Sequence, residues 1–189
     1  VAFAGYAFPA QGIVPQGVTY AYKMDPWPYD PKKAKQLLAE AGYPNGFESV
    51  LWGGYNNTTT QKVLQFVQQQ LRQVGVKIQV QALEVGQRTE MVQSAPDPAT
   101  APVRMYYAGW SSSTGEADWA LRPLLASESF PPKLNNTAYY KNELVDTNIA
   151  KALRSVDDQE KAKLYQEAQE QIWKDAPWAA LVTEKMLYA

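Results

Sequence analysis

Between residues 31 and 41 the apolar positions Ala34, Leu37, Leu38 and Ala41 recur at three- and four-residue intervals, with Asp30 placed to cap the segment, Pro31 at its first turn and Gly42 behind it. That pattern predicts a helix with one apolar stripe. Beyond the Pro44-Asn45-Gly46 turn, Glu48–Trp52 reads as a short strand and residues 53–57 as a loop. A second helix follows the threonines 58–60. Val63, Phe66, Val67, Leu71 and Val74 form its stripe, Gln65, Gln68, Gln69 and Arg72 its polar face, and Gly75 stops it. The period then shortens to two, since Val76, Ile78, Val80 and Ala82 alternate with Lys77, Gln79 and Gln81 as in a half-buried strand. A third helix is predicted near 86–94. After a loop marked by Pro96, Pro98 and Pro102, Val103–Tyr107 is strand-like and runs into Gly109-Trp110.

Strand, helix, strand, helix, strand is the order of an α/β fold, with a mostly parallel central sheet flanked by helices and ligands met at the carboxyl ends of the strands. The last third predicts two more helices. One spans roughly 143–154; the next is capped by Asp157 in a box with Glu160, carries Leu164, Tyr165, Ala168 and Ile172, and ends before Pro177, after which Trp178–Val182 reads as a buried strand. The first 29 residues hold Pro9, Pro15, Pro26, Pro28, Gly5, Gly12 and Gly17, a density that breaks both helical and strand ladders. They are expected to form an extended lead-in draped over a single lobe made of residues 30–189.

Composition narrows the function more than the fold. With 46% apolar and 20% charged residues the chain can bury a core, and a net charge of −1 without a basic run excludes a nucleic-acid footprint. Cysteine and histidine are both absent, which excludes disulfides, thiolate nucleophiles, His-ligated zinc and the Ser-His-Asp triad. No apolar run reaches the ~18 residues of a membrane span. The chain begins VAFAGYAFP and ends EKMLYA, so it is expected to come from a longer parent.

Two loops carry candidate chemistry. Gly109, Trp110, Ser111, Ser112, Ser113, Thr114, Gly115, Glu116, Ala117, Asp118 and Trp119 place hydroxyls, carboxylates and two indoles at a predicted strand end, a mixture suited to a small polar ligand. In the plainer alternative Ser113 and Glu116, or Asp118 alone, cap the following helix. Asn56, Asn57, Thr58, Thr59, Thr60 and Gln61 stand at a helix start, where unpaired N–H groups favour a ligand carboxylate unless the threonines themselves complete the cap. Arg88 and Arg104 are possible carboxylate partners. Glu116 and Asp118 are too close in sequence, and too isolated from any nucleophile, phosphate loop or metal-ligand spacing, to support a glycosidase; no cofactor or metal is expected.

The run YDPKKAKQLLAEAGYPNGF, residues 29–47, resembles a long signature of the solute-binding proteins that feed dipeptide, oligopeptide, nickel and glutathione importers. QQLRQVGV at 69–76, YAGW at 107–110 and APW at 176–178 follow in the family's order, and GWSSSTGEADWALRPLLASESFPP is most similar to the glutathione-binding members. The resemblance implies the C-terminal lobe of a two-lobed protein that encloses glutathione or a related short peptide between its lobes and hands it to an ABC permease. It implies a periplasmic location, or an extracytoplasmic, membrane-tethered one in a Gram-positive host. An N-terminal lobe of the same parent would be the partner. Dipeptide or oligopeptide capture is the runner-up; an α/β hydrolase and a chaperone or adhesion module are remoter readings. Peptide-binding relatives place an aspartate three residues after the Gly-Trp tryptophan to take the ligand ammonium, and Ser113 stands there. On this resemblance the helix start at Thr58–Gln61, with Asn56, receives a carboxylate; Trp110 covers an apolar stretch; Ser111, Ser112 and Ser113 hydrogen-bond the peptide; and Asp118 takes the ammonium.

Overall fold

A computed structural model describes residues 2–185; Val1 and residues 186–189, at the far ends of the expected lead-in and lobe, lie outside it. Its elements in chain order are β1 (Ala7–Pro9), α1 (Pro31–Glu40), β2 (Glu48–Gly53), α2 (Thr58–Gln73), β3 (Lys77–Ala82), α3 (Val85–Val92), β4 (Met105–Tyr107), α4 (Ala117–Leu125), α5 (Glu143–Arg154), α6 (Asp158–Asp175) and β5 (Val182–Glu184). Each helix and strand predicted between 31 and 107 is present.

The sheet is parallel, in the order β3-β2-β4, with Glu48 opposite Lys77 and Leu51 opposite Met105. The side-chain period of two sends Leu51 to one face, where it meets Leu64, Val76 and Ile78 beneath α2. Trp52 goes to the other, against Leu83 and Val92 of the α3 layer. Helices thus cover both faces, as a parallel sheet requires. The Pro44-Asn45-Gly46 turn crosses the end of α2 at close range. Gly46 has φ +73°, and a β-carbon on it would overlap the Gly75 carbonyl oxygen and lie 2.9 Å from Gly75 Cα. Lys77 N then donates to Phe47 O at 2.9 Å, which starts the β2–β3 register.

A second core lies among α4, α5 and α6, where Leu121, Leu125, Val145, Ala152, Tyr165, Ala168 and Ile172 are fully buried. The lead-in does more than drape. Ile13 and Val14 belong to this core, Met24 is buried, and the fully buried Gln169 side chain accepts from Tyr22 N at 3.0 Å while donating to Tyr20 O at 2.9 Å. The lead-in also supplies β1, which pairs antiparallel with β5, Ala7 opposite Glu184. The final strand accordingly starts at Val182 rather than Trp178 and is half-exposed, because a two-stranded ribbon leaves one face to solvent. The expected capping box of α6 is also only half formed. Asp157 accepts from Gln159 N and Glu160 N, but its own N–H donates to Ser155 Oγ at 3.1 Å, and Glu160 binds that same serine. Among the described residues no helix is long and apolar enough to cross a membrane.

Asp175 closes the helical layer. Its carboxylate accepts from Tyr140 Oη at 2.6 Å, from Asn142 Nδ2 at 2.8 Å and from Gln171 Nε2 at 2.7 Å, joining the end of α6 to the cap of α5. The tyrosine hydroxyl, chiefly, holds the Asp175 pKa below its ordinary 3.8. A carboxyl depressed by folding contributes stability above its unfolded pKa and loses it as the pH falls through the folded one. The wild-type melting temperature is therefore expected to fall more steeply below pH 3.8 than that of Asp175→Asn, as thermal melts from neutral pH to about pH 3 would show.

Candidate functional site at the strand ends

The chain leaves β2 through α2 for β3 on one side, then crosses over α3 to β4 on the other. The connections after β2 and β4 therefore diverge and open a crevice at the carboxyl ends of these neighbouring strands, the place where open α/β sheets bind ligands. Its floor is a backbone hydrogen bond from Gly54 N to Tyr107 O, 2.8 Å. Tyr106 lies against Gly54 so closely that a β-carbon on the glycine would sit 3.1 Å from Tyr106 Cζ. The two loops singled out in the sequence, 56–61 and 109–119, both follow directly from the hydrogen-bonded pair Gly54 and Tyr107.

Arg88, in the first turn of α3, stands on the same floor. Its Nη1 donates to Gly54 O at 3.3 Å, and its guanidinium lies 5.6 Å from the Tyr55 ring centroid. Nε is buried and has no hydrogen-bond partner among the described residues. Burial pushes the Tyr106 hydroxyl above its ordinary pKa, with Arg88 opposing the shift, so the phenol stays neutral. Arg104 stands at the opposite, amino end of β4, donating to Ala101 O and Val103 O, and is not brought to the crevice.

At the start of α2 the cap is Asn57, whose side chain accepts from Thr60 N at 2.8 Å, rather than the threonines. Thr58 and Thr59 follow with N–H groups that have no acceptor within the helix. Thr60 is buried, and its methyl packs where Gly53 leaves room. Asn56 bridges two strand ends, donating to Glu84 Oε1 at 2.7 Å and accepting from Gln61 Nε2 at 3.1 Å. Asn56 and Gln61 also line a shallow cavity of about 320 Å³ with Gln65 and Gln81 between α2 and β3.

In the second loop Trp110 is 40% exposed. Its Nε1 donates to Trp119 O at 2.8 Å and the two indoles sit 6.2 Å apart at 38°. Ser112 Oγ donates to Glu116 O at 2.7 Å, whereas Gly109, Ser111 and Ser113 are exposed. The capping alternative is not realised. Glu116 occupies the cap position of α4 without a side-chain cap bond, and its carboxylate pairs with Lys161 Nζ at 2.7 Å. Asp118, 8% exposed, accepts from Arg122 Nε at 2.9 Å and from Arg122 Nη2 at 2.8 Å. The hydrogen-bonded carboxylate raises the Arg122 pKa, keeping the guanidinium charged. Sequence reasoning missed Tyr55, Glu84 and Tyr106, although Glu84 stands two residues beyond the end of β3, where site residues gather. Among the described residues no cluster of acidic side chains is arranged to hold a metal.

Residues 1–132 match the model of the bacterial extracellular solute-binding proteins, family 5 Middle. The chain belongs to this family. All 189 residues of this family 5 chain align at 56% identity with a glutathione-binding protein, GsiB, of Salmonella typhimurium, and cover 37% of that protein's length. Among solved structures, the periplasmic binding protein DppA from Helicobacter pylori, in complex with the peptide STSA, superposes with a TM-score of 0.79 at 31% identity, over 94% of this chain and 34% of that one. HbpA2 from Haemophilus parasuis does so with a TM-score of 0.85 at 26% identity, over 96% and 35% respectively. The family 5 chain thus spans little more than a third of the relatives that it matches, which are binding proteins rather than enzymes.

Proposed function

We propose that this chain is the C-terminal ligand-binding lobe of the extracytoplasmic solute-binding component of an ABC importer, and that its parent captures glutathione or a related short peptide for delivery to a membrane permease. The observation that carries the reading is the crevice at the ends of β2 and β4, with Arg88 on its floor and the exposed Trp110, Ser111 and Ser113 on the loop that leaves β4, in a chain 56% identical to a glutathione-binding protein. A second lobe of the same parent would form the facing wall. The setting would be the periplasm, or, in a Gram-positive host, an extracytoplasmic position tethered to the membrane. Helix α2 offers the N–H groups of Thr58 and Thr59 to an anion, while Trp110, Ser111 and Ser113 face the peptide. Capture of a linear peptide is the second reading, supported by the likeness to DppA bound to STSA.

Calorimetry on the full-length protein with reduced glutathione, oxidised glutathione and a linear tripeptide tests both. Glutathione is expected to bind best, and a tenfold preference for the linear tripeptide would transfer the assignment to peptide import. Trp110→Ala is expected to weaken binding by about 1–3 kcal/mol, as loss of an interface aromatic does, and to move the melting temperature by less than about 2 °C because the indole is partly in solvent. Unchanged affinity with a lower melting temperature would make Trp110 a packing residue instead.

A further inference from the structure

We infer that this wall of the crevice recognises the ligand by its carboxylate, on Arg88, and does not take the ligand's ammonium on Asp118. The inference rests on the proposed function and fixes the polarity of its site. Of the carboxylates at or beside the crevice, Asp118 and Glu116 are each paired with a cation, while Glu84 is exposed and takes only a neutral amide. Asp118 is held by two guanidinium nitrogens of Arg122, Glu116 by Lys161, and Glu84 by the Asn56 amide. For an ammonium to reach Asp118 it would have to displace a partner four residues away on the same helix, one that is itself stacked 6.0 Å from the Trp119 ring. Breaking such a pair leaves Arg122 partly buried and uncompensated. The cations divide differently. Arg122 and Lys161 are paired, whereas Arg88 takes part in no ion pair among the described residues, and a carbonyl oxygen and an aromatic face are its neighbours.

A guanidinium in that state lacks the partner its geometry suits best, a carboxylate bound through two parallel N–H groups. The Tyr55 and Tyr106 rings beside it limit its hydration, which strengthens its attraction for an anion. The α2 start, with its own free N–H groups, lies across the same floor and adds a second anion partner. Asp118 then acts through Arg122, shaping the platform of Trp110 and Trp119 rather than touching the ligand.

Two cycles on the full-length protein test this by calorimetry. In the first, wild type and Arg88→Gln are titrated with glutathione and with its two mono-amides, one at the glycine carboxyl and one at the γ-glutamyl α-carboxyl. Arg88→Gln is expected to weaken glutathione at least tenfold, while one mono-amide binds both proteins within twofold. Arg88→Lys, which keeps the charge on the same helix, is expected to retain part of that discrimination. Equal weakening of glutathione and both mono-amides, or no weakening at all, would overturn the assignment. In the second, Asp118→Asn is expected to change the affinities for glutathione and N-acetylglutathione by the same factor, and a difference of fivefold or more would place the ammonium on Asp118. Should wild type not bind glutathione, the proposed function fails, and the same cycles on a linear tripeptide, its C-terminal amide and its N-acetyl form decide the polarity of the wall.

Discussion

Gln169→Leu is expected to destabilise the protein by about 2–4 kcal/mol, and to do so mainly by releasing the lead-in. The glutamine is fully buried on α6, and its amide is the acceptor for Tyr22 N and a donor to the carbonyls of Tyr20 and Tyr165. Leucine is close in size but offers neither function, so a part-buried N–H and a part-buried carbonyl lose their partner, each at a cost of about 1–2 kcal/mol. Ile13 and Val14 belong to the same core, and loosening the adjacent backbone exposes them in part. Urea unfolding gives the magnitude. Hydrogen exchange at the Tyr22 amide locates it, since protection there is expected to fall far more than in β2. A loss below about 1 kcal/mol would mean that the lead-in is held by its apolar contacts alone.

Gly46→Ala acts at the other core and through the backbone. At φ +73° an alanine is in the left-handed region, at about 1–2 kcal/mol, and its β-carbon meets the carbonyl and Cα of Gly75, which belong to a neighbouring turn and cannot rotate away as a side chain would. The two effects together are expected to cost ~3 kcal/mol or more, lowering the melting temperature by roughly 6–12 °C for a chain of this size. The turn sets where β2 begins, so its displacement would also shift Gly53 and Gly54 at the other end of the same short strand. Gly42→Ala provides the comparison, because it shares the positive φ but has nothing within 4 Å of the added carbon. Similar losses for the two variants would refute the steric part.

The elements that repay a local reading are those whose stripes are formed within one segment. α1, α2, β2 and β3 announce themselves by period, caps and glycine stops, and the structure realises them within one or two residues. The lead-in was opaque because prolines and glycines report the absence of a ladder and say nothing of burial. Its place depends on Gln169, nearly 150 positions away. β5 was misplaced for the same reason, since only pairing with β1 makes it a strand. In the site, both loops were visible from composition, but the sheet order that brings them together was not. Asp118 and Arg122 stand four apart, the spacing of an ion pair on one helix face, and that signal was open to a sequence reading. The Glu116–Lys161 pair, by contrast, joins two helices and has no local trace.

The anchoring of the lead-in by α6 has a consequence in time. The sheet layer draws its pairings from one continuous stretch of about sixty residues, Glu48–Tyr107, whereas Tyr22 must wait for a partner 147 positions later. Closing a loop of that length costs only a few kcal/mol more than a short one, yet it cannot begin until both ends exist. At ribosomal speeds of about 5–20 residues per second, Gln169 follows Tyr22 by on the order of ten seconds. Throughout that interval Ile13, Val14 and Met24 have no finished core to enter, while the strands that frame the crevice can already pair. The expected order of assembly is therefore sheet first and helical layer last, with Ile13, Val14 and Met24 settling after the strands made later than they are.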